Sequence, residues 1–268
     1  MILLRYYLRR SSPTGILAAL ALFGFHYMMA FVYRGFILNL EGAPTLLMRV
    51  IPKAVQSFLG MDRLAPDSVA GILTLAYQHP FVLIVICALA VTCTVEFLVG
   101  QVERLTITHL LARPIARPLL PAYAFATPLV WLAVASTSAI LGTILGFTRL
   151  GYTLPSATQL LQLGLALFAL GFAVAGGSLF FSAIADTRSD AAGWSVSVLL
   201  AMYVGNFVAQ LWDAARPWAR LSLFNHYKPI EILAHKSLPL ATWSLFMGVG
   251  LGGLVLACVV YARREFRV

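Results

Sequence analysis

The apolar residues of this chain fall into six blocks, each long enough to cross a lipid bilayer, and no other feature constrains the fold as strongly. About 20 residues of helix span the ~30 Å hydrocarbon of a membrane, and the blocks run at about 14–37, 81–100, 119–147, 157–184, 192–212 and 241–262. Backbone amides cannot go unpaired in lipid, so each block is read as a helix. Composition agrees: 60% of the residues are hydrophobic and 11% charged, against roughly 25% charged in a soluble chain. The expected fold is an all-α polytopic membrane protein, one transmembrane domain over residues 1–268, and a soluble globular enzyme is excluded. The formal net charge of +9 fits basic loops held at an anionic cytoplasmic surface and membrane lipid as a partner, not nucleic acid.

Local signals refine this outline. Residues 1–12 mix apolar side chains with Arg5, Arg9 and Arg10, and Arg5 and Arg9 share a helical face, as in a short helix lying in the interface. Ser12-Pro13 then reads as an N-cap and a first helical position for the first span. Pro121 and Pro128 offer a kink in the third. Arginine is denser at the start, in the 2–3 and 4–5 connections and in the tail than in the other loops, which predicts both termini inside, in a multi-pass protein of the plasma (inner) membrane. Within the outer segments 39–78 and 213–239, the stretches 45–59, with Arg49, Lys53 and Gln56, and 221–235 are expected as interfacial helices, with plain surface loops as the alternative.

Few residues carry chemistry. The ionisable groups inside spans are His26, Arg34 and Glu96, functional candidates because charge is costly in hydrocarbon. Each also has a structural role open to it: His26 bonded to a neighbouring helix, Arg34 reaching the outer interface, Glu96 paired with a cytoplasmic arginine. Cys87, Cys93 and Cys258 sit in apolar blocks as packing residues. The sequence contains no GxSxG, HExxH or GxxxxGK[ST], so no catalytic or metal site is expected; His226 and His235 make a poor metal pair. Small residues recur at four-residue spacing, Ser138, Gly142 and Gly146 in the third span, Gly171 and Ala175 in the fourth, Gly248 and Gly252 in the sixth, and such faces favour close helix packing, either within the chain or between chains.

The connection 101–118 stands apart. Residues 102–112 read as a helix, ended at Arg113-Pro114 because a residue before proline leaves the α region. Arg117-Pro118 repeats the break. Leu105, Ile107, Leu110 and Leu111 make it apolar, so either its own bundle or another protein covers it.

Residues 103–117, with Glu103-x-x-Thr106 at one end and Leu110-Leu111-Ala112-Arg113-Pro114-Ile115-Ala116-Arg117 at the other, resemble the first cytoplasmic loop of ABC-2 type transporter permeases. The small-residue stretch 181–191 resembles their fourth-to-fifth junction, and 221–229 the segment before their last span. Arg104 stands where that family usually carries a small residue. The resemblance implies a membrane permease subunit of an ATP-binding-cassette exporter, working as a homo- or heterodimer with two copies of a cytosolic ATPase. It places coupling to the ATPase on Glu103, Arg104, Leu105, Thr106, Leu110, Leu111, Arg113 and Arg117. No cofactor is expected in this chain; ATP and Mg would belong to the partner. The competing readings are a membrane assembly or regulatory component that binds an ATPase without transport, and an ion-driven secondary transporter, which the scarcity of intramembrane acids disfavours.

Overall fold

The computed structural model describes residues 2–39, 68–104, 117–235 and 237–264. These residues fold into helices, and six stretches are long and apolar enough to cross a membrane: Leu3–Gly35, Val69–Glu103, Leu119–Arg149, Ala157–Ile184, Arg188–Ala209 and Leu240–Arg263. The chain is an all-α, multi-pass membrane protein.

The first span is one helix, α1, Ile2–Asn39. It does not break at Ser12-Pro13, contrary to the expectation of a separate interfacial helix at 1–12. Pro13 has no N–H to give the carbonyl of Arg9, but Ser12 Oγ donates to that same oxygen at 2.8 Å. The hydroxyl thus replaces the missing backbone donor, and the helix runs on. Its first turns are packed: Tyr7 is fully buried and stacks on Phe97, ring centroids 4.5 Å apart.

The second span is composite: α2 Val69–Gln78, α3 Pro80–Phe97 and α4 Val99–Glu103. Ser68 starts α2 by accepting from Gly71 N. Pro80 ends it and opens α3, where His79 Nδ1 accepts from Phe81 N at 3.2 Å. Residues 69–78, read from sequence as part of an outer loop, are therefore an extension of the span. The later spans are α5 Leu119–Arg149, α6 Ala157–Ile184 and α7 Arg188–Leu211. A capping box of Ser156 and Gln159 starts α6; α7 begins a turn earlier than expected because Thr187 accepts from Asp190 N. After a 3-10 turn at Asp213–Ala215 come the short helices α8 Arg216–Ala219, α9 Leu223–His226 and α10 Pro229–His235. The single helix expected over 221–235 is thus broken, where Pro229 excludes helical geometry from the residue before it. The stretch 45–59 lies outside the described residues. The last span is α11, Leu240–Arg263.

Helix α6 is the centre of the bundle, with α11, α5, α3 and α7 around it and Leu163, Leu167, Leu170 and Leu179 fully buried. Helix α1 lies along α5. Glycine sets the closest approaches: a Cβ at Gly142 or Gly146 would strike the α1 backbone at Phe23 or Tyr27, and one at Gly171 would strike Leu132. On α11 a different pair of glycines makes the contacts within the chain. Gly248 and Gly252 have open space beside them, whereas a Cβ at Gly250 would strike Phe172 of α6 and one at Gly253 the Gly176 backbone. Phe246, Gly250, Gly253, Ala257 and Tyr261 form the buried stripe of α11; this i, i+3, i+4 pattern leaves 248 and 252 on the other side.

Gly253→Ala should therefore lower stability by about 1–3 kcal/mol through overpacking, while Gly252→Ala should leave the melting temperature of the purified protein unchanged. Equal effects of the two would mean that α11 is rotated relative to this packing.

Candidate functional site

Three arginines at one end of the bundle converge on Glu96, in the last turn of α3. Its Oε1 accepts from Arg104 Nη2 at 2.6 Å and from Arg10 of α1, Nη2 at 3.0 Å and Nε at 3.2 Å. Its Oε2 accepts from Arg188 Nη1 of α7 at 3.3 Å. Glu103, at the end of α4, accepts from Arg188 twice through Oε2, from the backbone N at 3.0 Å and from Nε at 2.7 Å. Two carboxylates therefore tie three guanidiniums drawn from α1, α7 and the turn after α4. Gly100 provides the room: a Cβ there would lie 3.2 Å from Arg188 Cδ and 3.5 Å from Glu96 Oε2. Glu96 is 22% exposed and Arg10 and Arg188 are 42% exposed. Each pair alone is weak at such exposure; their shared acceptors make them a network.

Next to this junction runs an apolar groove of about 440 Å³ between α3 and α7, walled by Ile84, Cys87, Val91, Val196, Leu200 and Tyr203 among others. Thr92 and Ala192 also line it, and these residues stand one helical turn from Glu96 and Arg188. The junction thus pins α3 to α7 at one end of the groove. A buried set of hydroxyls joins the same helices through α6: Ser178 Oγ lies 2.8 Å from Thr94 Oγ1 and 3.1 Å from Ser195 Oγ. Among the described residues no His, Cys, Asp or Glu group could hold a metal. What this arrangement offers is a charged clasp beside an apolar passage between helices.

Of the residues singled out from sequence, Glu96, Glu103 and Arg104 meet here. Arg104, the departure from the family pattern, is held by Glu96. The expected helix at 102–112 is changed at its start: Val102 and Glu103 finish α4, and Arg104 is a turn residue at φ −84°, ψ 4°. Leu105, Thr106, Leu110, Leu111 and Arg113 lie outside the described residues. Arg117 is exposed and donates to the carbonyl of Arg264, 3.4 Å away, next to the end of α11. His26 is buried, 1% exposed, but its Nδ1 bonds Leu22 O of its own helix at 2.8 Å, not a neighbouring helix. Its ring lies 4.5 Å from that of Tyr77, centroid to centroid. Arg34 is exposed near the end of α1, as a side chain reaching the interface would be. Arg10 and Arg188 were not singled out as site residues. The signal for Arg188 was present in Thr187, which caps α7 and so sets Arg188 at its first turn.

The family model described as ABC-2 family transporter protein matches residues 8–261, nearly the whole chain. No curated protein matches it.

Glu96→Gln removes the charge shared by three arginines. Hydrogen bonds to charged groups contribute about 1.5–3 kcal/mol each when well formed; at this exposure the substitution should cost about 1–2 kcal/mol in total. A double-mutant cycle of Glu103→Gln with Arg188→Gln, read by chemical denaturation in detergent, should give a non-zero coupling energy. Additive effects would dissolve the network.

Proposed function

The chain belongs to the ABC-2 transporter family, and from that premise we propose that it is the membrane subunit of an ATP-driven exporter powered by a separate cytosolic ATPase. Two such subunits, identical or not, would enclose the pathway in the inner membrane, and two ATPase copies would hold ATP and Mg. The chain has no phosphate-cradling GxxxxGK[ST] loop of its own. The observation that supports this reading is the clasp at Glu96. Arg104 opens the connection that resembles the ATPase-facing loop of the family, and it binds the same carboxylate as Arg10 of α1 and Arg188 of α7. A push on residues 105–116 from an ATPase would reach three spans at once, a rigid-body mode of coupling. The groove between α3 and α7 would then open or close beside it. Its apolar lining favours a cargo with a substantial apolar part.

The N-terminal turns of α1, the end of α4, the start of α7 and the end of α11 lie at one end of the bundle, as the contacts of Arg10, Arg188 and Arg264 require. We assign that end to the cytoplasm. In a variant lacking the native cysteines, Cys introduced at His109 should react with an impermeant thiol reagent only from the cytoplasmic side, and Cys at His226 only from outside. Reaction of both from one face would reverse the assignment.

The coupling role is tested by Leu110→Asp. A charge placed in a desolvated contact costs several kcal/mol, so ATPase retention on co-purification should fall about a hundredfold or more, while the permease keeps its yield and melting temperature. If Leu110 instead packs on its own bundle, yield and melting temperature drop. A stable variant that keeps its ATPase and transports normally would refute coupling through this leucine.

A further inference from the structure

A second groove, of about 430 Å³, opens where α6 and α11 end. Ala183 and Ile184 of α6 and Val259, Val260, Arg263 and Arg264 at the end of α11 form its walls. Val259 and Arg263 are one turn apart on one face of the helix, as are Val260 and Arg264. The apolar wall therefore lies toward the middle of the span and the guanidiniums at its edge. Arg264 is held in place: Nη1 donates to Ala183 O at 2.7 Å, satisfying a terminal carbonyl of α6, and Nη2 pairs with Asp186. Arg117 Nη1 donates to the carbonyl of Arg264, bringing a third arginine to the same place. Among the described residues, three guanidiniums against the carboxylate of Asp186 leave a formal excess of two positive charges. Arg263 is exposed, and its side chain has no partner among the described residues.

We propose that this groove is a binding site for one anionic phospholipid, with the phosphate on Arg263 and an acyl chain along Ile184 and Val259. Cation at the membrane edge and hydrocarbon beneath it is the order in which a phospholipid presents its own groups. A soluble anion would use the arginines and leave the apolar wall unused. The excess positive charge selects an anionic headgroup over a zwitterionic one, since a juxtamembrane arginine attracts anionic lipid and the cation of a zwitterionic headgroup offsets that attraction. The carbonyl end of α6, which would repel a phosphate, is already occupied by Arg264. The site does not depend on what the bundle transports or on what drives it.

Native mass spectrometry of the purified full chain, titrated with dioleoyl phosphatidylglycerol or dioleoyl phosphatidylcholine, tests this. The wild type should retain one phosphatidylglycerol in preference to phosphatidylcholine. Arg263→Gln should weaken that binding about fivefold, the loss expected for one interfacial cation, and Arg263→Lys should restore most of it. Val259→Trp, which fills the groove and keeps every arginine, should also remove the lipid, whereas Arg149→Gln at the other end of the bundle should not. Unchanged retention in both Arg263→Gln and Val259→Trp would overturn the assignment. So would competition by glycerol 1-phosphate as strong as that by the lipid, which would mark a bare anion site. Loss of a co-purifying ATPase from Arg263→Gln with lipid binding intact would reassign the surface to the protein partner.

Discussion

In hydrocarbon a peptide carbonyl has no water to fall back on, and the whole bundle is arranged around that fact. The pairing holds even at the edge of the first span, where Arg9 O, left without a backbone donor by Pro13, is taken by Ser12 Oγ. One hydroxyl lets α1 pass through a proline as a single helix of 38 residues, about 57 Å at 1.5 Å per residue. That length lets the same helix lie along α5 and still deliver Tyr7 and Arg10 to the end of α3. The breaks obey the same rule. The second span is interrupted at His79 and at Leu98, and at each the freed groups find partners: His79 Nδ1 takes Phe81 N, and Leu98 N–H keeps its bond to Thr94 O.

With the backbone satisfied, lipid offers helices little reason to associate, because acyl chains are as apolar as leucine. Close packing and polar contacts take over. Glycines bring α5 onto α1 and α11 onto α6, and buried hydroxyls on Thr94, Ser178 and Ser195 link α3, α6 and α7. The ionic clasp then gathers α1, α3 and α7 at one end. Its two carboxylates answer three arginines, and loss of Glu96 alone would take the carboxylate from Arg10 and Arg104 together.

Much of this was legible in the sequence, because the length of an apolar block is a one-dimensional property. The spans at 119–147, 157–184 and 241–262 are found within two residues of their ends. What depends on the rotation of a helix about its axis was harder to see. Two sets of glycines lie on α11, and spacing alone did not distinguish the pair at 248 and 252 from the pair that meets α6. Glu96 could be expected to pair with an arginine, but which arginines depends on where α1 and α7 stand. Ser12-Pro13 carried a genuine ambiguity, since the same hydroxyl serves as a cap or as a donor to the turn before, and packing of Tyr7 on Phe97 accompanies the second choice. Helix α2 was hidden in a long outer segment whose apolar residues also suit an interfacial helix.

The unequal burial of the helices has a mechanical consequence. Where Gly176 meets Gly250 and Gly253, no side chain stands between the backbones of α6 and α11, so no rotamer change can absorb a displacement and the two move as one strut. Helix α7 is the opposite: Trp194, Val198, Val204, Val208 and Leu211 are exposed, and few of its residues are buried. If it leaves the bundle, lipid solvates the apolar surface it uncovers as well as protein did. The resistance to that stroke is then concentrated in a handful of polar ties. Of these, the salt links of Arg188 weaken with ionic strength, while the uncharged hydroxyl contact of Ser195 with Ser178 is indifferent to it. Helix α7 is in this sense a hinged leaf held by latches that answer to different forces.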